Sequence, residues 1–246
     1  MAPDMAISSA FWTLLQVVFF QWPDLSAFKI TRDGYLDLRN RQVSFVHGLL
    51  SLGLGTHCYL TSDAHCGSKI IPYEYGIIVM SSGYFIYDFL SMAWFGLLDV
   101  DMTFHHFVSV GGLTLTLYSG TGANFICMSL FFGELSNPAM HMRVMLKHLG
   151  LRYTKAYEVA EFIFFVTYFF GRVIIQHPVV YLELTCEELN SAIKLMYIGI
   201  LFQSYQFLYR MYFIVKRRFA EIDERNRKKL PFHWLVPIPM KELETC

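Results

Sequence analysis

Two adjacent histidines, His105 and His106, stand in the stretch DVDMTFHHFVSVGG (residues 99–112), where an acidic turn gives way to an apolar run. An imidazole that titrates near neutrality serves as nucleophile or general base, and a neighbouring carboxylate can fix its tautomer. Asp88 and Glu134 are the carboxylates set in apolar surroundings on either side of the pair. An acyl thioester is a natural electrophile for such a group, because an imidazole nitrogen can attack it and carry the acyl chain transiently. His105, His106, Glu134 and Asp88 are therefore the candidate catalytic residues. The same residue types would suit iron or zinc, but paired helical histidines at i and i+4 are missing, so no metal is expected.

The elements that must position these groups are set by an unusual composition. Charged residues make up 16% of the 246, hydrophobic residues 54% and aromatic residues 17%, against about 25% charged in a soluble domain. Seven apolar stretches approach or exceed the roughly 20 residues needed to cross a bilayer, at about 6–22, 42–60, 76–98, 103–119, 121–142, 157–180 and 192–215. The expected fold is thus all-α, a polytopic membrane protein of seven transmembrane helices. The formal net charge is zero and no nucleic-acid partner is indicated.

Outside the spans, basic residues gather in three segments, Lys29 to Arg41, Arg143 to Lys155, and Lys216 to Lys241, while the alternate loops carry only Lys69 and, at an edge, Lys194. Seven crossings put all three on one side, which the positive-inside rule makes cytosolic, with the N-terminus lumenal. Cys58, Cys66 and Cys186 then fall near the lumenal face, where a disulfide is permitted. The sequence does not choose the pairing.

Ionisable residues within lipid usually face a bundle interior or a wet cavity, and residues three, four and seven apart share a helix face. Spans two to seven each carry such a stripe. These supply the expected cavity-lining residues His47, Tyr84, Ser109, Asn137, His141, Glu161, Arg172, Gln206 and Arg210. Most of them lie toward the cytosolic side, with Arg172 in the lumenal half. Span one offers only Thr13 and Gln16, so six helices are expected to surround the cavity and the first to pack outside them. Successive helical residues diverge by about 100°. His105 therefore shares a face with Ser109, Gly112 and Thr116, while His106 turns toward a neighbouring helix. Pro138 is expected to kink span five and aim Glu134 at the cavity.

The blocks RQVSFVHG, SSGYFIYD, HH at 105–106 and FFGELSNPAMHMR, in that order, resemble the TLC-domain family, over about residues 35–219. Its ceramide synthases follow a His-His pair with a His-Asp and a second Asp one helix later. This chain keeps the pair but has Gly133-Glu134 and Asn137 in the corresponding stretch, which argues against ceramide synthesis. It is more similar to the smaller TLC-domain transmembrane proteins. The resemblance implies membrane-lipid homeostasis in the endoplasmic reticulum or a related membrane.

Residues 1–34 are accordingly read as an N-terminal anchor and cytosolic loop, 35–219 as the TLC domain and 220–246 as a basic cytosolic tail. Membrane lipids are the expected partners, with acyl-CoA as co-substrate if the protein is an acyltransferase and no bound cofactor. The alternative is a non-catalytic lipid-binding or regulatory protein using the same cavity. A seven-helix signalling receptor is set aside, because the Asn-Pro pair lies in span five and no Asp-Arg-Tyr follows span three.

Overall fold

Short polar residues before apolar runs start the helices. Thr31, Asp99, Thr154 and Asn190 each accept a hydrogen bond from a first-turn amide, meeting donors that no intrahelical carbonyl can reach. A computed structural model, describing residues 1–26, 28–62, 65–231 and 233–236, gives the elements. They are α1 (Ala2–Gln21), α2 (Arg32–Thr61), α3 (Pro72–Phe95), α4 (Val100–Ser119), α5 (Ala123–Glu134), α6 (Asn137–His148), α7 (Lys155–Tyr168), a π-helical segment (Phe169–Ile175), α8 (Gln176–Thr185) and α9 (Ser191–Arg227). No strand of a sheet occurs among the described residues, and the protein is all-α.

Because α5 runs almost directly into α6, and α7 passes through the π segment into α8, these elements form seven rods. Their ends alternate. At one end Cys66 and Cys186 form a disulfide, Tyr75 donates to Asp4 at 2.6 Å and the Ile70 amide donates to the Gly120 carbonyl. This settles the pairing that the sequence left open, and Cys58 remains a buried free thiol. The opposite end gathers the basic segments. There Arg39 donates to the Pro23 carbonyl, His148 meets Asp37 and Arg152 meets Glu221.

The bridge closes a loop of 120 residues, so its loss is expected to cost about 2–4 kcal/mol. Cys66→Ser should lower the melting temperature of the purified protein in detergent, and reductant should reproduce that drop in wild type. Equal melting in all three samples would show that the loops hold without the bridge.

Burial runs opposite to that of a soluble bundle in one respect. Arg39, His47, Asp88, His106, Glu134 and Glu183 are buried, while Leu14, Leu90, Trp94, Phe107, Phe162 and Phe202 face outward. Among the described residues, α1 and α3 are by themselves long and apolar enough to cross a membrane. In α2 and α9 the hydropathy is diluted by inward polar side chains and by charged ends. At 30 and 37 residues these two run about 45 and 55 Å, past an apolar core of about 30 Å.

The first helix does more than flank the bundle. Most of α1 is open on its outer side, yet Trp12 is wholly buried and its Nε1 donates to the Met80 carbonyl. Gln16 reaches Ser91 at 2.9 Å. α1 packs on the outside of the bundle against α2 and α3, as expected, and of its two polar residues singled out in the sequence Gln16 turns inward. In the described part of the tail, His233 and Trp234 carbonyls accept from the Lys155 and Ala156 amides at the start of α7. Residues 237–246, with Lys241, lie outside the described residues.

Candidate functional site

Span five breaks where its proline requires. Pro138 has no N–H to give the Glu134 carbonyl, and the helix is interrupted at Leu135–Ser136. The preceding carbonyl, Gly133, accepts from Arg172 Nη2 at 2.7 Å. Arg172 is brought there by the π segment, whose Gly171 passes so close to α5 that a Cβ would lie 2.6 Å from the Phe132 carbonyl oxygen. Only glycine allows that approach.

These groups face a narrow cavity of about 80 Å³. His105, Ser109 and Gly112 line it from α4, Glu134 from α5, Arg172 from the π segment and Gln176 from α8. Phe85, Leu113, Ile126, Leu130 and Ile193 supply much of the apolar wall. On α4 the lining residues run from His105 to Gly112, about 11 Å at 1.5 Å per residue. Arg172 lines the same cavity as His105 and Glu134, as its place in the stripe of span six predicts.

The orientation of His105 follows from a hydrogen-bond chain. Gln203 Nε2 donates to the Asp101 carbonyl at 3.1 Å, which turns its Oε1 to His105 Nδ1 at 2.9 Å. An amide oxygen only accepts, so Nδ1 carries the proton and Nε2 keeps a lone pair. Nε2 has no hydrogen-bond partner among the described residues. The orienting group expected from the sequence was Asp88 or Glu134, and here it is an amide. Nothing in the spacing of span seven marks Gln203 as the partner of His105.

His106 behaves differently. Its Nδ1 meets the Met102 carbonyl at 2.7 Å and its Nε2 meets Asp88 Oδ2 at 2.9 Å. Both partners accept, so a proton must stand at each ring nitrogen or be shared with the carboxylate. Asn40 donates to the other Asp88 oxygen at 2.7 Å. Tyr87 and Ser91 donate to Asn40 Oδ1, and Gln16 extends the network to α1. Asn40 lay beyond the expected start of span two, so its part was not legible.

His47 is stacked on Tyr84 with centroids 3.7 Å apart, bonded to Ser51 and 3.9 Å from Glu134. Both rings are buried behind the cavity wall. Asn137 donates to Glu134 at 2.9 Å, and His141 is buried on α6. His47, Tyr84, Asn137 and His141 do not line the cavity, and three further expected lining residues are elsewhere. Glu161 belongs to an ion-pair network with Arg143 and Arg218 at the basic end. Arg210 pairs with Asp101 and is half-exposed, and Gln206 is exposed. On α9, residues at i+3 and i+7 from Gln203 drift from the inward face over its long, outward-leading half.

The family model of the TLC domain matches residues 37–217. The chain belongs to the TLC domain family. This TLC domain protein is therefore an integral membrane protein connected with lipid metabolism or sensing, in keeping with its buried polar and outward apolar surfaces. No solved structure matches the chain.

Outside the apolar spans, Asp37 ties α2 to α6. It accepts from His148 Nε2 at 2.7 Å and Arg41 Nε at 2.9 Å. Burial opposes its charge, but these two groups outweigh burial and hold the carboxyl at about 2 instead of 3.8. Such a carboxylate stabilises above its unfolded pKa and loses the contribution as pH falls through its folded one. Asp37→Asn is expected to cost about 2 kcal/mol at neutral pH. Melting curves should show the gap from wild type closing between about pH 4 and pH 2; a constant gap would refute the linkage.

Proposed function

We propose that this TLC domain protein crosses the membrane seven times, N-terminus lumenal and basic end cytosolic, and transfers an acyl chain through His105. On this reading residues 1–34 are the anchor and its loop, 35–219 the lipid-handling domain and 220–246 a cytosolic tail. The endoplasmic reticulum or a related membrane is its location. The observation that carries the reading is the Asp101–Gln203–His105 chain, which leaves an imidazole lone pair beside a largely apolar cavity.

Acyl-CoA is the donor that suits this arrangement. His105 Nε2 attacks the thioester carbonyl, the C–N bond forms as the C–S bond breaks, and the thiolate leaves toward the cytosolic side. A hydroxyl or amine of a membrane lipid then takes the acyl group. Glu134 receives its proton, and Arg172 faces the charge that develops on the carbonyl oxygen.

A second reading, a non-catalytic lipid holder, is favoured by the absence of a carboxylate bonded to His105 among the described residues. Intact-protein mass spectrometry after brief incubation with long-chain acyl-CoA separates the two. An acyl adduct that disappears in His105→Ala supports transfer. No adduct, with equal phospholipid co-purifying from wild type and variant, supports the lipid holder. In that case a bulky residue at Gly112, where an added Cβ would already lie 3.4 Å from the Met196 side chain, should abolish function while His105→Gln is tolerated.

A further inference from the structure

A second concavity, separate from the His105 cavity, lies at the basic end between α2, α6, α7 and α9. It is a bowl of about 840 Å³ including its open mouth. Arg41, Arg143, Lys147, Arg152, Arg217 and Arg218 line it, against Asp37 and Glu161. Its floor is a closed structural network. Arg218 bridges Glu161 at 2.9 Å and Glu221 at 3.0 Å, and also reaches Glu158. Arg143 completes Glu161 at 2.8 Å. Arg152 is held by Glu221, and Arg41 by Asp37.

That network accounts for four of the six cations. Lys147 and Arg217 stand exposed at the rim with no ion-pair partner among the described residues. Burial, then Arg152 and Arg143, push the Lys147 ammonium below its ordinary range. Folding alone gains nothing from two further cations in a concavity already rich in guanidinium groups, since like charges at this range repel. A bound anion with several acceptor oxygens reverses the sign of that interaction. Guanidinium forks together with a lysine ammonium match the geometry and charge of phosphate.

We propose that this bowl binds a phosphate-bearing dianion, through Lys147 and Arg217 at its rim and Arg143 and Arg152 behind them. Along the α5–α6 rod Arg143 and Lys147 lie about 13 and 20 Å from Glu134 at helical rise, and the inference stands whether or not His105 is catalytic. The phosphate can come from a lipid headgroup or from a soluble molecule.

Two probes distinguish the sources. The full-length protein is placed in phosphatidylcholine nanodiscs with or without dioleoyl phosphatidic acid, and lipid retention is read by native mass spectrometry. In parallel, inorganic pyrophosphate is titrated and binding is read from the shift in melting temperature. Lys147→Ala/Arg217→Ala is compared with Lys69→Ala/Lys194→Ala, which removes the same charge at the disulfide end. Wild type and the control should bind at least one probe, and the rim variant about tenfold or more weaker, as expected for lost charge-assisted hydrogen bonds. Selective retention of phosphatidic acid assigns a lipid headgroup, and selective stabilisation by pyrophosphate assigns a soluble phosphate. Binding of neither probe by wild type, or equal weakening in both double variants, would overturn the proposal. Lys147→Gln, which keeps the side-chain bulk, serves the same comparison should the double variant fail to fold.

Discussion

His105→Ala should abolish acyl-adduct formation on the protein, a loss of at least about 10²–10⁴-fold, while leaving the melting temperature within a few degrees of wild type. The size follows from its role as the only proposed nucleophile, with Nδ1 committed to Gln203 and Nε2 left free. The mild stability effect follows because the ring lines a cavity and makes one side-chain hydrogen bond. Gln203→Leu removes the group that fixes the tautomer without touching the cavity. It should slow adduct formation by about 10–100-fold while leaving the apparent affinity for acyl-CoA near wild type, the pattern of an interaction used in reaching the transition state. Unchanged adduct formation in His105→Ala would dismiss the nucleophile assignment. A Gln203→Leu variant that lost only affinity would show that the amide shapes the cavity instead of orienting the ring.

The neighbouring histidine should respond in the opposite way. His106→Ala and Asp88→Ala each strand one member of a buried pair, with Asp88 5% and His106 2% exposed. Such single losses cost about 3–5 kcal/mol, because the remaining group keeps its desolvation penalty without its partner. Each variant should express poorly and melt far below wild type. The double variant His106→Ala/Asp88→Ala should be less destabilised than the sum of the singles, since no unpaired charge remains. Additive losses would mean that the 2.9 Å contact carries no coupling. The proposal thus assigns chemistry to one histidine and architecture to its neighbour, and measuring both activity and melting for each variant tests that division.

Much of this was legible in the residues alone. A charge content of 16% and seven long apolar stretches are facts about solvent compatibility, so they fix an all-helical bundle with inward polar stripes whatever the detailed packing. The alternation of basic segments likewise survives, because helical rods of bundle length must reverse at every loop. The 100° step per residue sent His105 and His106 to different neighbours, and Pro138 located the break in span five.

What the sequence could not decide were relations between helices. Stripe membership says that a side chain turns inward, but not at what height its partner stands. Asp88 therefore met His106 and not His105, and a glutamine took the place expected of a carboxylate. Counting brought Arg172 to the cavity wall, but not to the Gly133 carbonyl that it meets from the π segment. It failed beyond the apolar core, where Glu161, Gln206 and Arg210 left the cavity for ion pairs or the surface. The sequence determined which groups must be kept from lipid, since that is a property of each residue. Only the tertiary structure decided which of them meet, because hydrogen-bond distance depends on the rotation and axial offset of packed helices, and a single sequence records neither.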